Sequence, residues 1–366
     1  MTGPAPAVAR ARLAVRSELD DLAPGSLVLV ACSGGPDSLA LAAATAFVAT
    51  RLGLRAGAVV VDHDLQPGSD TVAAEAARAC RDLGLAPVIV VRVVVGRSSG
   101  PEADAREARH TAFDETAAAL GARAVLLGHT LDDQAEQVLL GLARGSGARS
   151  LSGMPVRRGL LRRPLLGLPR DDTVAVCAAA GLVPWDDPTN SLPWDDPTAG
   201  LPWDDPTNSL LWDDPTAGVP LRTRVRRQVL PVLEQVLGPG VARALARTAD
   251  QLREDADALD VLGEVLFSQA RVDAGGGVAL DVATVAGAPV AIRTRALRAA
   301  LVAAGCPSGS VTRGHVLAVD RLLTDWHGQG PVALPGRVTV HRRCGRLEVG
   351  PDAPIEAPAA PTRGEL

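Results

Sequence analysis

The chain has 366 residues, 47% of them hydrophobic, and a formal net charge of −5. That length points to two domains or three at roughly 150 residues each, with enough apolar content for a real core. The five cysteines (Cys32, Cys80, Cys177, Cys306, Cys344) are scattered with no CxxC pair, which argues against a zinc site, an iron–sulfur site and a secreted disulfide framework. No stretch is long and apolar enough to span a bilayer, so a soluble, cytoplasmic protein without a membrane partner is expected.

In chain order, residues 26–32 form an apolar run, residues 33–38 read Ser-Gly-Gly-Pro-Asp-Ser, and residues 39–48 are rich in Ala and Leu. This predicts a buried strand, a tight glycine turn and a helix N-terminus. A strand follows over residues 56–61, ending at Asp62-His63, then a helix over 71–83. The densest β-branched run predicts a strand over 87–95, followed by a helix over 102–120 and a strand over 122–128. Helices over 131–142 and 171–180 complete this half. Strand–helix alternation with continuous apolar strands predicts an α/β fold, a parallel twisted sheet with helices on both faces. Ligands of such sheets sit at the carboxyl ends of the strands, which gathers residues 33–38, Asp62-His63 and Gly128-His129 at one edge. Beyond residue 220 the pattern is helical, over 222–236, 240–266 and 291–304. A short hairpin is predicted over 330–349, with turns at Pro335-Gly336 and Cys344-Gly345. The Pro/Ala-rich tail over 351–366 is expected to be disordered.

Three motifs carry chemistry. In Ser33-Gly34-Gly35-Pro36-Asp37-Ser38, glycines let the backbone approach an anion, and the free N–H groups of the helix start point at it. Ser33 and Ser38 add hydroxyls. Asp37 is itself an anion; its presence makes sense if Mg²⁺ bridges it to phosphates. The Walker lysine is missing, so a kinase or GTPase fits poorly. In the second motif, Gly128 to Glu136, Asp133 and Glu136 share a helix face, with His129 just before the helix. Such a set can hold Mg²⁺, position an amine or take its proton; an acidic first turn favoured by the helix dipole explains it equally well. In the third, Glu102 to His110, Arg106 and Arg109 share a face, a pattern more usual for solvated surface.

Residues 184–219 differ in kind. They are four tandem nonapeptides, with residues 184–192 recurring identically at 202–210. The array holds four of the five tryptophans and both asparagines of the chain. Its prolines exclude helix, and long surface insertions cost little stability.

The hexapeptide resembles the SGGxDS signature of PP-loop ATP pyrophosphatases, which split ATP into AMP and pyrophosphate. The fuller pattern resembles the tRNA(Ile)-lysidine synthetase family over most of the chain. It comprises Ser33 to Ser38, Asp62-His63, Ala105-Arg106-Glu107-Ala108-Arg109 and GHxxDDQxE at Gly128 to Glu136. It continues with Arg163-Pro164-Leu165-Leu166, Trp185 to Asn190, and Arg222-Thr223-Arg224-Val225-Arg226 followed by Leu230-Pro231. The resemblance implies that ATP adenylates the C2 carbonyl of the wobble cytidine in a CAU-anticodon tRNA(Ile), after which L-lysine displaces AMP. It implies ATP binding at residues 33–38, Asp62 and His63, with Mg²⁺ on Asp37. Asp37, Arg109, His129, Asp133, Glu136 and Arg222 become candidate catalytic residues. Asp133 and Glu136 are then the carboxylates for the cationic lysine.

A tRNA enzyme is expected to be basic, yet the net charge is negative. Residues 142–170 hold seven arginines and no acid, and residues 222–227 hold four more. Arg144, Arg149, Arg157, Arg158, Arg224 and Arg226 are thus candidates for tRNA phosphates. Each array copy carries two aspartates, so three surplus copies account for more than the whole net charge. Where the family pattern has one such segment, some 27 residues look inserted, and which copy occupies the family position is left open. A neutral looped-out expansion and an element that weakens tRNA modification by charge and bulk are both compatible with it. The expected domains are 1–183 (PP-loop, catalytic), 184–219 (repeat insertion), 220–350 (helical, tRNA-binding) and the tail. A thiolating PP-loop tRNA enzyme and a low-activity nucleotide- and RNA-binding protein are the alternatives.

Overall fold

The computed structural model describes residues 3–64, 68–94, 96, 101–145, 147–186, 220–272 and 277–351. The tail expected from residue 351 and the array beyond Asp186 lie outside the described residues, save Pro351 itself. Two compact units divide between Leu252 and Arg253.

The first unit runs α1 (Pro6–Leu19), β1 (Leu27–Ala31), α2 (Pro36–Leu52), β2 (Arg55–Asp62), α3 (Ser69–Asp82), β3 (Val88–Arg92), α4 (Pro101–Leu120) and β4 (Ala124–Leu127). It continues with α5 (Leu131–Ala143), α6 (Ala148–Leu151), β5 (Arg157–Arg158), β6 (Leu161–Arg162), α7 (Arg170–Ala179), α8 (Leu221–Arg224) and α9 (Leu230–Leu237). The sheet has the order β3-β2-β1-β4-β6-β5. All its pairs are parallel except the edge pair β5–β6. Because side chains alternate across a strand, Val28 and Val30 of β1 enter one core with α1, α2, α3 and α7. Leu27 and Leu29 enter the other, with Phe113 and Ala117 of α4. Both faces of β1 are covered, so its sequence reads as an unbroken apolar run.

The expected parallel sheet is present, with differences of detail. The run over 87–95 is an edge strand that stops at Arg92 and leaves Val90 exposed; β-branched density reported strand propensity, not burial. α1 was not expected. It buries Ala7, Ala11, Val15 and Leu19 at four-residue spacing, a stripe that small alanines make faint. The helix expected over 222–236 is interrupted by a π-helical turn at Val225–Val229 between α8 and α9. That turn lies just before Pro231, which has no N–H for the ordinary ladder.

α10 (Val241–Ala270) leads into the second unit. There β7 (Arg271–Val272), β8 (Val278–Asp281), α11 (Val282–Ala286), α12 (Val290–Ala303), α13 (Arg313–Thr324), β9 (Val332–Leu334), β10 (Val338–Arg343) and β11 (Arg346–Pro351) follow. The strands form an antiparallel sheet, β7-β8-β11-β10-β9. The expected hairpin lies within it. Cys344 and Gly345 have φ of 46° and 76°, as a two-residue turn of the favoured hairpin type requires. This unit is helical with a larger sheet than expected; β7 and β8 are too short to show an alternating pattern. Among the described residues no single helix is long and apolar enough to cross a membrane.

Candidate active site

The strand order reverses about β1, so a crevice opens between the carboxyl ends of β1 and β4, where open α/β sheets bind ligands. The turn after β1 and the turn after β4 meet there. A Cβ on Gly128 would lie 3.0 Å from the Asp37 carbonyl and the Ser38 amide, so only glycine lets the two turns approach this closely.

Residues 33–38 form the expected turn. Gly34 has φ +86°, and α2 begins at Pro36 with no side-chain cap on its first N–H groups. Those groups remain directed at an anion position. Ser38 is buried; its hydroxyl donates to the Gly35 carbonyl at 2.9 Å and accepts from the Ser33 amide at 3.2 Å. Ser38 therefore staples the turn rather than presenting a donor outward.

Asp37 faces a chain of alternating charges. One of its oxygens accepts from Thr173 Oγ1 at 2.5 Å, the other from Arg170 Nε at 3.1 Å. The same guanidinium reaches Asp133 Oδ1 at 3.2 Å. Asp133 Oδ1 also receives Arg226 Nη2 at 3.4 Å, and Arg226 grips Glu136 through Nε at 2.6 Å and Nη2 at 3.2 Å. Five side chains thus run Asp37–Arg170–Asp133–Arg226–Glu136. Burial raises the pKa of Asp37 against the pull of Arg170, and raises that of Glu136 against Arg226. Asp133 is also desolvated, but Arg170, the Thr130 amide, His129 and Arg226 outweigh burial and lower its pKa. Two carboxyls with raised proton affinity flank one with lowered affinity.

Local structure explains this division within the second motif. Asp133 Oδ2 accepts from the Thr130 amide (2.8 Å) and hydroxyl (3.0 Å), closing a capping box at the start of α5. Asp132 accepts the Arg170 amide at 2.8 Å and so joins the starts of α5 and α7. Gln134 is buried and pairs with both backbone groups of Met154. Asp132 and Gln134 are scaffold; Asp133 and Glu136 are buried and hold Arg170 and Arg226.

The histidines are held neutral. His129 is pushed down to about 4 by burial, with Arg163, Arg106 and Arg222 adding to the effect and Asp133 opposing it. Among the described residues its buried Nδ1 has no hydrogen-bond partner. His63 is likewise pushed down to about 4, by burial and then Arg109, whose Nε donates to His63 Nε2 at 3.3 Å. His63 Nδ1 is also buried and has no partner among the described residues. Unpaired buried nitrogens are costly in a finished core and fit groups that await a ligand. Asp62 is a buried structural group: it accepts the Asp64 amide at 3.0 Å, and bonding to Ser69 holds its carboxyl below the usual range. Arg222 Nη2 donates to Gln137 Oε1 at 2.9 Å, beside Glu136.

The basic stretch is less available than its sequence implies. Arg157 is paired with Glu18 (2.8 Å) and Asp21 (3.2 Å), and Arg162 forks onto Asp21. Arg163 is buried against the Pro155 carbonyl, and Arg226 belongs to the carboxylate chain. Arg144, Arg149 and Arg158 are exposed, and Arg224 is half-buried on α8. Arg170 and Thr173 are the site residues that sequence reasoning missed. In the sequence Arg170 shows only as positive charge, and the sole signal for it is its place just after the RPLL segment.

No group of three or more metal-ligating side chains occurs among the described residues. A Mg²⁺ ion at Asp37 would share a carboxylate whose two oxygens already accept from Thr173 and Arg170; one carboxylate together with substrate phosphates is the usual mode for this ion. A cavity of about 640 Å³ lies on the other side of α5, lined by Leu131 and Gln134 rather than Asp133 and Glu136.

Comparison with known proteins agrees with this geometry. Residues 10–193 match the PP-loop domain and residues 280–348 match the TilS substrate binding domain. A tRNA(Ile)-lysidine synthase of Thermobifida fusca is 53% identical over 353 residues, covering 96% of this chain and all of that protein. That of Leifsonia xyli subsp. xyli is 55% identical, covering 90% of this chain and 91% of its own. That of Streptomyces coelicolor is 47% identical, covering 95% and 99%. The U34-tRNA thiolase NcsA from Methanococcus maripaludis, solved with its [4Fe-4S] cluster, superposes with a TM-score of 0.52 at 17% identity, over 68% of this chain and 79% of that one. That likeness speaks for the fold alone. The motifs, the site they build and the full-length relatives lead to one conclusion: the chain belongs to the tRNA(Ile)-lysidine synthase family.

Proposed function

We propose that the protein joins L-lysine to C2 of the wobble cytidine in a CAU-anticodon tRNA(Ile), using ATP. The observation that carries the reading is the chain Asp37–Arg170–Asp133–Arg226–Glu136, which links the phosphate-binding turn to a pair of carboxylates suited to a cationic substrate. In the first half-reaction the C2 oxygen attacks the α-phosphorus and pyrophosphate leaves. The first turn of α2 receives the pyrophosphate through its uncapped N–H groups. Mg²⁺, held by Asp37 and the phosphates, would supply charge neutralisation there.

In the second half-reaction the lysine side-chain amine attacks C2, AMP leaves with the C2 oxygen, and the amine gives up a proton. Asp133 and Glu136 bind the ammonium in exchange for the guanidinium of Arg226, a swap of one cation for another that keeps the buried carboxylates paired. Glu136, whose proton affinity is raised by burial, suits the proton acceptor better than His129, which is too weak a base near pH 7. His129 Nδ1 instead offers a lone pair to a donor on the substrate. Arg109 and Arg222 flank the site and meet developing phosphate charge. Arg144, Arg149, Arg158 and Arg224 are the tRNA phosphate contacts of this reading. Residues 1–183 carry catalysis together with Arg222 and Arg226, and 220–350 hold the RNA together with Arg144, Arg149 and Arg158. The test is ATP-dependent incorporation of labelled lysine into a CAU-anticodon tRNA transcript; a folded protein that incorporates none refutes the reading.

A further inference from the structure

α7 and the segment leaving it strap the phosphate-binding turn at three positions. Thr173 Oγ1 donates to Asp37, Cys177 Sγ donates to the Pro36 carbonyl at 3.3 Å, and the Trp185 amide donates to the Gly34 carbonyl at 2.9 Å. The last contact comes from the first nonapeptide. Gly34 is the left-handed residue of the turn, and the space a Cβ would enter is walled by Ala76 at 3.4 Å, Trp185 Cβ at 3.7 Å and Val72 at 3.9 Å. Trp185 and α3 therefore close on Gly34 from either side. The approach is short: Leu182 is pinned by its amide to the Cys177 carbonyl at 3.0 Å and packs on the core, leaving only Val183 and Pro184 before the seat.

We propose that Trp185 is a positioning residue for the ATP-binding turn, that the first nonapeptide is the working copy, and that residues 193–219 are the inserted chain. Sequence cannot select among the copies, because residues 202–210 repeat 184–192 letter for letter. The tether selects. A tryptophan from any later copy reaches Gly34 only by looping out nine or more extra residues after the pinned Leu182, while shortening the return to Pro220 by as many. Because closure cost grows with the logarithm of each loop's length, one very short link plus one long loop is cheaper than two loops of middling length by about 1 kcal/mol. The seat holds the Gly34 carbonyl turned away from the anion position, so that the amides of the turn face the phosphates. This rests on reading residues 33–38 as the ATP turn.

The experiment compares Trp185→Pro, which removes the amide donor, with Trp185→Phe and Trp185→Ala, which keep it. Trp194→Pro, Trp203→Pro, Trp212→Pro and a deletion of residues 193–219 are the controls. Binding of a fluorescent N-methylanthraniloyl-ATP probe and the ATP and lysine KM values are read for each. Trp185→Pro is expected to weaken probe binding and raise the ATP KM about fivefold to tenfold, the effect of one lost hydrogen bond, with the lysine KM unchanged. Trp185→Phe, Trp185→Ala and all four controls should keep the parent's ATP affinity. An unchanged ATP KM in Trp185→Pro overturns the proposal, as does an equal rise in Trp203→Pro. Weakened probe binding in the deletion overturns it however Trp185→Pro folds. Probe binding does not require lysine or tRNA, so loss of the proposed ligation activity in the parent would be seen separately.

Discussion

Two Arg–carboxylate assemblies in this protein use the same side chains for opposite ends. In the second unit Arg293 forks onto Asp320 at 2.6 and 3.2 Å and donates its remaining Nη1 to the Ala288 carbonyl at 2.9 Å, tying α12 to α13. That pair is a staple: the carboxylate has its fork, and the guanidinium's spare donor is taken by backbone. In the first unit Arg170 and Arg226 are each shared between two carboxylates, burial drives two of the three carboxyls upward, and two nearby histidine nitrogens have no partner among the described residues. Buried carboxyls with raised proton affinity and unpaired buried nitrogens are wasteful in a scaffold. They suit a site where substrate charges displace protein charges.

Substitutions can break that contrast. Asp37→Ala should lower lysine incorporation about a thousandfold, the scale of losing an electrostatic anchor of the transition state, while the thermal midpoint moves little. Arg170→Met should cost about a hundredfold in kcat/KM for lysine, because Asp37 and Asp133 lose the cation that spaces them. A normal rate in either variant would reduce the crevice assembly to a staple like Arg293–Asp320. Conversely, Arg293→Ala should cost about 3 kcal/mol of stability by stranding Asp320, read by denaturant unfolding, with ATP-probe affinity unchanged.

A smaller effect follows from His63 and His129. Both are held near 4 in the fold, against about 6.5 in an unfolded chain. Between those values the unfolded state binds more protons, so stability rises with pH across that window and falls on acidification from 7 to 5. His129→Gln should flatten the melting temperature against pH; an identical slope in the variant would show that His129 does not carry it. Deleting residues 193–219 should give the mildest change, a fall of a few-fold in the tRNA KM from removing six aspartates beside the arginine run. Unchanged or weaker tRNA use would remove the inhibitory role and leave a neutral expansion.

Much of the site was legible because its residues sit next to strand ends. The turn at Ser33 to Ser38 announces itself by glycines between an apolar run and a helical one. Asp133 and Glu136 announce themselves by three-residue spacing. The roles of Asp132 and Gln134 were not legible, since an acid and an amide in a first turn look the same whether they cap another helix or face a ligand. Arg226 looks like an RNA contact from its neighbours in sequence; its partners Asp133 and Glu136 lie about ninety residues away.

By itself, the sequence determined the parallel sheet, the glycine turn at the end of β1 and the family, because these rest on local periodicity and contiguous motifs. Tertiary structure alone decided which arginines are consumed by carboxylates, that Arg170 and Thr173 hold Asp37, and that Trp185 meets Gly34. Those outcomes depend on contacts between segments far apart in the chain. A repeated sequence carries no information about which copy makes them; the pinned end of α7 does.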